Sequence, residues 1–214
     1  MNTRAYSFID NVLISIDNGI RTVFGQPPVT ERPNPADSCE DRELGELDRR
    51  LSGHLMRVNH AGEVAAQALY EGQALTARLP DVRDKMERAA LEENDHLNWC
   101  AQRIEELGQH TSLLNPLWYT GSLAIGALAG IAGDKWSLGF VAETEHQVVR
   151  HLEAHLRRLP SQDLKSRAIL VQMQADEGRH ATTALEAGGA QLPQPVKKIM
   201  TLTSRVMTRT AFWV

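Results

Sequence analysis

Apolar residues recur at helical spacing from early in the chain. Ile9, Val12, Leu13, Ile16, Ile20 and Val23 share one face of a helix over 6–24, with polar residues between them. Residues 25–43 break the pattern. Pro27, Pro28, Pro33 and Pro35 stand there among acids and bases, which predicts a linker or irregular arm. Long helix-favouring stretches follow, each closed by a breaker. They run from Leu44 to Leu79 before Pro80, from Asp81 to Leu107 before Gly108, and over Pro116–Gly133. Further ones run from Lys135 to Leu159 before Pro160, from Ser161 to Ala187 before Gly188 and Gly189, and onward from Pro195. No stretch alternates apolar and polar positions between turn signals, as strands do. The expected fold class is all-α, a bundle of long helices. Residues 1–43 read as an N-terminal amphipathic helix and Pro-rich arm, and 44–214 as the bundle domain.

The stretch Thr111–Gly133 carries no charge. At about 1.5 Å per residue it could reach across a bilayer's hydrocarbon. Asn115, Pro116 and four glycines interrupt it, and much of its apolar content is alanine. The expectation is a buried or interfacial helix rather than a membrane span.

Composition narrows the function. The chain has 214 residues, 42 % of them apolar, which suits one domain with a real core. A net charge of −4 supplies no basic field for nucleic acid. Cys39 and Cys100 cannot build a disulfide framework, and no CxxC or Cys/His cluster suggests zinc. The N-terminus lacks the basic start, apolar block and cleavage site of a signal peptide. Asp10 and Asp17 argue against a transit peptide. The expected location is therefore the cytoplasmic side.

The chemistry lies in a repeated spacing. Glu93 and His96 stand three apart, preceded by Glu92; Glu177 and His180 stand three apart, preceded by Asp176. Each pair follows a glutamate in the preceding long helix, Glu63 and Glu145, at nearly equal distances. Residues i and i+3 project from one helix side, so one Glu and one His can reach a common cavity. Two such helices plus one Glu from each of two others give four carboxylates and two imidazoles. That is the ligand set of carboxylate-bridged di-iron or di-manganese bundles, and four carboxylates balance two divalent ions.

One Glu-x-x-His match would mean little in a chain with 8 histidines. A third match, Glu143 with His146, shares its side with Gln147 and Arg150 and reads as a solvated face. By contrast, Glu93, Glu145 and Glu177 sit on apolar stripes, where an ionised acid is costly unless paired or metal-bound. Glu63 lies on the flank of its stripe, near Asn59, His60, Gln67 and Tyr70, and the repeat spacing is what recommends it. His54, His110, His146 and His155 are expected at the surface or at helix ends. His60 reads as a donor behind the ligands or a polar core contact. Glu92 and Asp176 are plausible acceptors for the free N–H groups of the ligand histidines.

The segments LMRVNHAGEVAAQALYEGQ (Leu55–Gln73), EENDHL and DEGRHA together resemble the demethoxyubiquinone hydroxylase family of ubiquinone biosynthesis, over residues from about Leu47 to Val214. The resemblance implies a ferritin-like bundle holding two Fe ions, with Glu63, Glu93, His96, Glu145, Glu177 and His180 as ligands. It implies O2-dependent hydroxylation of a membrane-dissolved polyprenyl demethoxy-quinol, with NADH as ultimate electron donor. A homo-oligomer or a ubiquinone-biosynthesis complex is a further expectation for the chain's partners, which the sequence itself does not decide. Iron rather than manganese rests on the resemblance, since both metals accept this ligand set. Two positions depart from the family's pattern: Asn59 stands where many members have Asp, and His151-Leu152 where animal members have His-Tyr.

The segment from Pro195 to Val214 carries Lys197, Lys198, Arg205 and Arg209 and no acid. Val196, Ile199, Val206, Met207, Phe212 and Trp213 supply apolar contacts. Such a basic amphipathic helix suits an anionic membrane surface, and equally a place docked on the bundle with its charges in water; together with the N-terminal helix and the uncharged stretch, a peripheral place on the cell membrane is expected. The competing readings are a ferritin-like iron-storage protein, a manganese catalase and a membrane-associated lipid-binding scaffold. No Gly-rich dinucleotide fingerprint marks a site for NADH.

Overall fold

In the computed structural model, residues 8–25, 27–30 and 32–214 are described. Seven helices follow in order among them: α1 Phe8–Phe24, α2 Glu46–Thr76, α3 Pro80–Glu106, α4 Asn115–Ile131, α5 Asp134–Arg158, α6 Leu164–Glu186 and α7 Gln194–Ala211. No strand occurs among the described residues, so the all-α expectation holds, and most helix ends fall within a residue or two of the breakers. Residues 6 and 7 of the first predicted helix, and the side chains of Ile9 and Val12, lie outside what is described.

The ends follow from local chemistry. Pro80 opens α3 at a position whose N–H would have no helical partner. Gly108 closes it with φ +66, the left-handed conformation that costs glycine little. Asp163 caps α6 by accepting from Ser166 N at 3.0 Å. Asp134, opening α5, accepts from the backbone N–H groups of Arg78 and Leu79 at 3.0 and 2.9 Å, tying the α2–α3 turn to a helix distant in sequence.

Helices α2, α3, α5 and α6 form the bundle. Its apolar interior has two layers. One holds Leu55, Met56, Trp99, Ile104, Leu152, Ile169 and Met173. The other holds Tyr70, Val82, Met86, Leu138, Val141 and Ala184. Along each of the four helices, the predicted ligand positions fall between these two layers.

Helix α4 lies along the outside of α2 at very close approach. A Cβ on Gly126 would sit 2.2 Å from Leu69 O, and one on Gly72 would sit 2.2 Å from Leu123 O. Of the glycines in the uncharged stretch, Gly126 therefore serves backbone-to-backbone packing and Gly130 makes room for Thr76, whereas a Cβ on Gly121 or Gly133 would meet nothing. No helix among the described residues is long and apolar enough to cross a membrane. Helix α1 rests on α2 and α4, where Ser15 and Tyr119 both donate to Glu71.

Three expectations are corrected. Glu143 is buried, because Lys197 of α7 folds back to pair with it at 2.8 Å. His155 does lie in the last turn of α5, but it is buried rather than at the surface and meets Asn59 Oδ1 through Nδ1 at 2.9 Å. Phe212 is packed against the core while Trp213, in edge contact with it, stays exposed, so only one of the two terminal aromatics is free to meet a surface.

Candidate metal centre

Glu63 from α2, Glu93 and His96 from α3, Glu145 from α5 and Glu177 from α6 are all buried; His180 from α6 keeps a slightly exposed side chain. Glu63, Glu93, His96 and Glu177 each offer one ligand atom within 4.8 Å of the others.

Both imidazoles turn Nδ1 inward. His96 Nδ1 is 3.1 Å from Glu93 Oε2 and 3.1 Å from Glu177 Oε1. His180 Nδ1 is 3.4 Å from Glu93 Oε1 and 3.2 Å from Glu177 Oε2. Glu93 and Glu177 thus each direct one oxygen to each histidine. Glu63 flanks the His96 side, with Oε2 3.5 Å from Nδ1. Glu145 accepts a hydrogen bond from Tyr70 Oη and interacts with Glu177 and His180. The six predicted residues meet in one cluster inside the bundle.

The outward nitrogens are held crosswise. His96 Nε2 lies 3.0 Å from Asp176 Oδ2 on α6, and His180 Nε2 lies 2.8 Å from Glu92 Oε2 on α3. Each acid precedes the cavity glutamate of its own helix and serves the histidine of the other. With Nε2–H donated outward, each Nδ1 faces the cavity as a free lone pair when the ring is neutral.

The electrostatics of this cluster without metal are those of crowded carboxylates. Burial, reinforced by the charges of neighbouring glutamates, pushes Glu63 and Glu145 well above the usual carboxylate range. Burial would raise Glu93 too, but hydrogen bonds from His180 and His96 hold it well below that range. Burial disfavours imidazolium, yet contacts with Glu177 and Glu93 push His180 up to about 12. His96 is raised in the same way by Asp176, Glu177, Glu63 and Glu93. Glu145 Oε2 is buried without a hydrogen-bond partner, and Glu93 Oε1 and Glu177 Oε1 are buried with only a histidine Nδ1 at ion-pair distance, outside hydrogen-bond geometry. Buried acceptors left unpaired in this way suit cations as neighbours.

Two groups had weaker sequence signals. Tyr70 stands seven residues beyond Glu63, two helical turns along the same face, but nothing local shows that it reaches Glu145. His60 is buried and lowered to about 4 by desolvation; its Nδ1 is 3.5 Å from Asn115 Nδ2, which makes it a polar core contact.

Fold and site together define a ferritin-like helical bundle with a buried carboxylate–histidine cluster. A dodecameric thioferritin, the bacterioferritin-related protein from Bacteroides fragilis, shares the fold with a TM-score of 0.54 at 20 % identity, over 65 % of this chain and 84 % of that one. The chain belongs to the family of ubiquinone biosynthesis protein COQ7, whose sequence model matches residues 50–211. The 3-demethoxyubiquinol 3-hydroxylase of Nitrosococcus oceani is 64 % identical over 214 residues, spanning 100 % of both chains. Proteins of the same name from Nitrosomonas europaea and Acinetobacter baumannii are 55 % and 56 % identical, over 96 % and 99 % of this chain and 99 % and 100 % of theirs.

Proposed function

We propose that this chain is an O2-dependent di-iron monooxygenase that hydroxylates 3-demethoxyubiquinol in ubiquinone biosynthesis. One observation carries the reading: Glu93 and Glu177, both buried, each turn one oxygen toward each inward histidine nitrogen. In this reading Glu63, Glu93, His96, Glu145, Glu177 and His180 would together hold two iron ions. Bound iron supplies the activation of O2 and the electron transfer.

The chain's residues supply the setting. Asp176 and Glu92 take the outward N–H groups and fix both imidazole orientations. Tyr70 keeps a phenolic proton against Glu145. The two apolar layers keep water from the cluster.

The quinol carries a polyprenyl tail, so the enzyme must meet it at a membrane. Exposed apolar side chains favour peripheral contact: Leu13, Ile16, Ile20 and Phe24 on α1, Leu117 and Leu128 on α4, Ile199, Leu202 and Val206 on α7. The cytoplasmic face of the cell membrane is the proposed location, and NADH the proposed ultimate donor, delivered without a dinucleotide fingerprint in this chain. Residues 44–214 form the catalytic domain in this proposal, with 1–43 as its N-terminal appendage.

The test is the quinone profile of cells lacking the gene, rescued with wild-type protein or with Glu177→Ala. Accumulated demethoxyubiquinone that the wild type clears and the variant does not is the expected result. Normal ubiquinone without the gene, in cells holding no second hydroxylase, would overturn it, and iron accumulating beyond two ions per chain would bring storage forward.

A further inference from the structure

The Pro-rich arm between α1 and α2 reaches the back of the cluster. Asn94 Nδ2 donates to Pro28 O at 3.0 Å. Thr30 binds both oxygens of Asp95, through its backbone N–H at 2.8 Å and its hydroxyl at 2.6 Å. Arg32 then spans the two Glu-x-x-His helices. Its Nε donates to Asp95 Oδ2 on α3 at 2.6 Å, its Nη1 to Asp176 Oδ2 on α6 at 2.8 Å, and its Nη2 to Glu92 O at 3.3 Å. Its guanidinium carbon lies 5.1 Å from the Trp99 ring centroid, and Trp99 in turn flanks His96. Asp95 and Asp176 are fully buried and the Arg32 side chain is 30 % exposed, so these bonds are only partly screened by solvent.

Asp176 Oδ2 therefore accepts from Arg32 and from the His96 imidazole together. Gln172 and Arg179 hold its other oxygen. The corresponding acid for His180 is held more loosely. Glu92 receives Arg88 Nε at 3.3 Å, from a side chain 79 % exposed. Pro33 restricts the backbone of Arg32 to extended conformations, and the neighbouring prolines stiffen the arm, so little freedom is lost in holding the guanidinium there.

We propose that Arg32 is a positioning residue of the metal centre, which locks the His96 half through Asp176 and leaves the His180 half looser. This rests on the reading of the cluster as a two-metal site. Ferrous protein, loaded without O2 and mixed with excess ferrous chelator, should release its iron in two phases. Arg32→Gln should speed the slow phase about tenfold, the scale of a lost ligand-orienting contact, and change the fast phase far less, since Arg32 reaches Glu92 only at its backbone carbonyl, 3.3 Å away. Arg32→Lys keeps the charge but loses the planar fork, so it should also speed the slow phase, and it serves the same test if the Gln variant does not fold. Helix content by circular dichroism reports folding for both.

A wild-type protein that releases both ions at one rate overturns the proposal, as does a slow phase that either folded variant leaves unchanged. Glu93→Ala separates the two readings. If it binds and releases iron like the wild type, the metal site itself fails. If it loses iron while the Arg32 variants behave as wild type, only the role of Arg32 fails.

Discussion

His96 Nε2 and Asp176 Oδ2 lie 3.0 Å apart across 80 residues of chain. The pair joins the two Glu-x-x-His helices behind the cavity. Asp176→Ala removes the acceptor that sets which His96 nitrogen faces inward. Its metal affinity should fall about 10–100-fold, the usual effect of losing such a partner. Glu92→Ala should cost less, because Glu92 is partly exposed and water can replace it. Competition against a chelator of known affinity measures both, and equal losses would show that burial of the acceptor is immaterial.

Tyr70 donates to Glu145 in the interior, where Glu145 Oε2 already lacks a partner. Tyr70→Phe should destabilise the metal-free protein by about 1–3 kcal/mol, the cost of leaving a buried acceptor unpaired. Urea unfolding of metal-free protein reads the change directly. A variant as stable as the wild type would mean that this hydroxyl contributes nothing.

Metal-free stability and metal affinity should respond to pH in opposite directions. His180 is raised from 6.5 to about 12, so its contribution is fully present below pH 6.5 and is lost as pH rises through that range. Glu63 and Glu145, also raised, lose stabilisation as pH climbs above their ordinary 4.5. Glu93 and Asp176 are lowered, and their contribution is lost only on acidification. Metal binding displaces protons from both Nδ1 atoms, so affinity should rise with pH. The gap in melting temperature between loaded and metal-free protein should be wider near pH 8 than near pH 6. A gap independent of pH would contradict the protonation states drawn here.

The helix ends were legible because prolines open helices and glycines close them for local reasons, as Pro80 and Gly108 do at the two ends of α3. Glu93, His96, Glu177 and His180 were legible from their i, i+3 spacing and Glu145 from its apolar stripe, while Glu63, on the flank of its stripe, was recommended only by the repeat spacing. Glu143 marks the limit of that argument. Its helix face is polar, but the Lys197 that buries it comes from a helix placed there by tertiary packing. His155 escaped for the same reason, since its partner Asn59 lies 96 residues away. Arg32 had no periodic context at all: an arginine among prolines carries no local sign of the two aspartates it bridges.

Close packing of α2 and α4 makes a prediction independent of the metal. A methyl on Gly126 would meet Leu69 O at 2.2 Å, backbone that cannot step aside. Gly126→Ala should force the helices apart and destabilise the protein by about 1–3 kcal/mol despite alanine's better helix propensity. A melting temperature at or above the wild-type value would refute the close approach.

Helix α7 offers the sharpest test of membrane contact. Ile199, Leu202, Val206 and Trp213 form an exposed apolar stripe, with Lys198, Arg205 and Arg209 exposed beside it. Lys197 faces the opposite way, toward Glu143, and so belongs to the fold rather than to the surface. Ile199→Glu and Leu202→Glu should therefore leave metal content and helix content intact while weakening binding to anionic vesicles. Lys198→Glu should weaken it too, by about 1 kcal/mol or more, and added salt should reduce wild-type binding but not abolish the apolar share. Co-sedimentation with vesicles of anionic or neutral lipid distinguishes the two terms. If all three variants sediment like the wild type, α7 is not the contact, and the exposed apolar residues of α1 and α4 become the surfaces to substitute next.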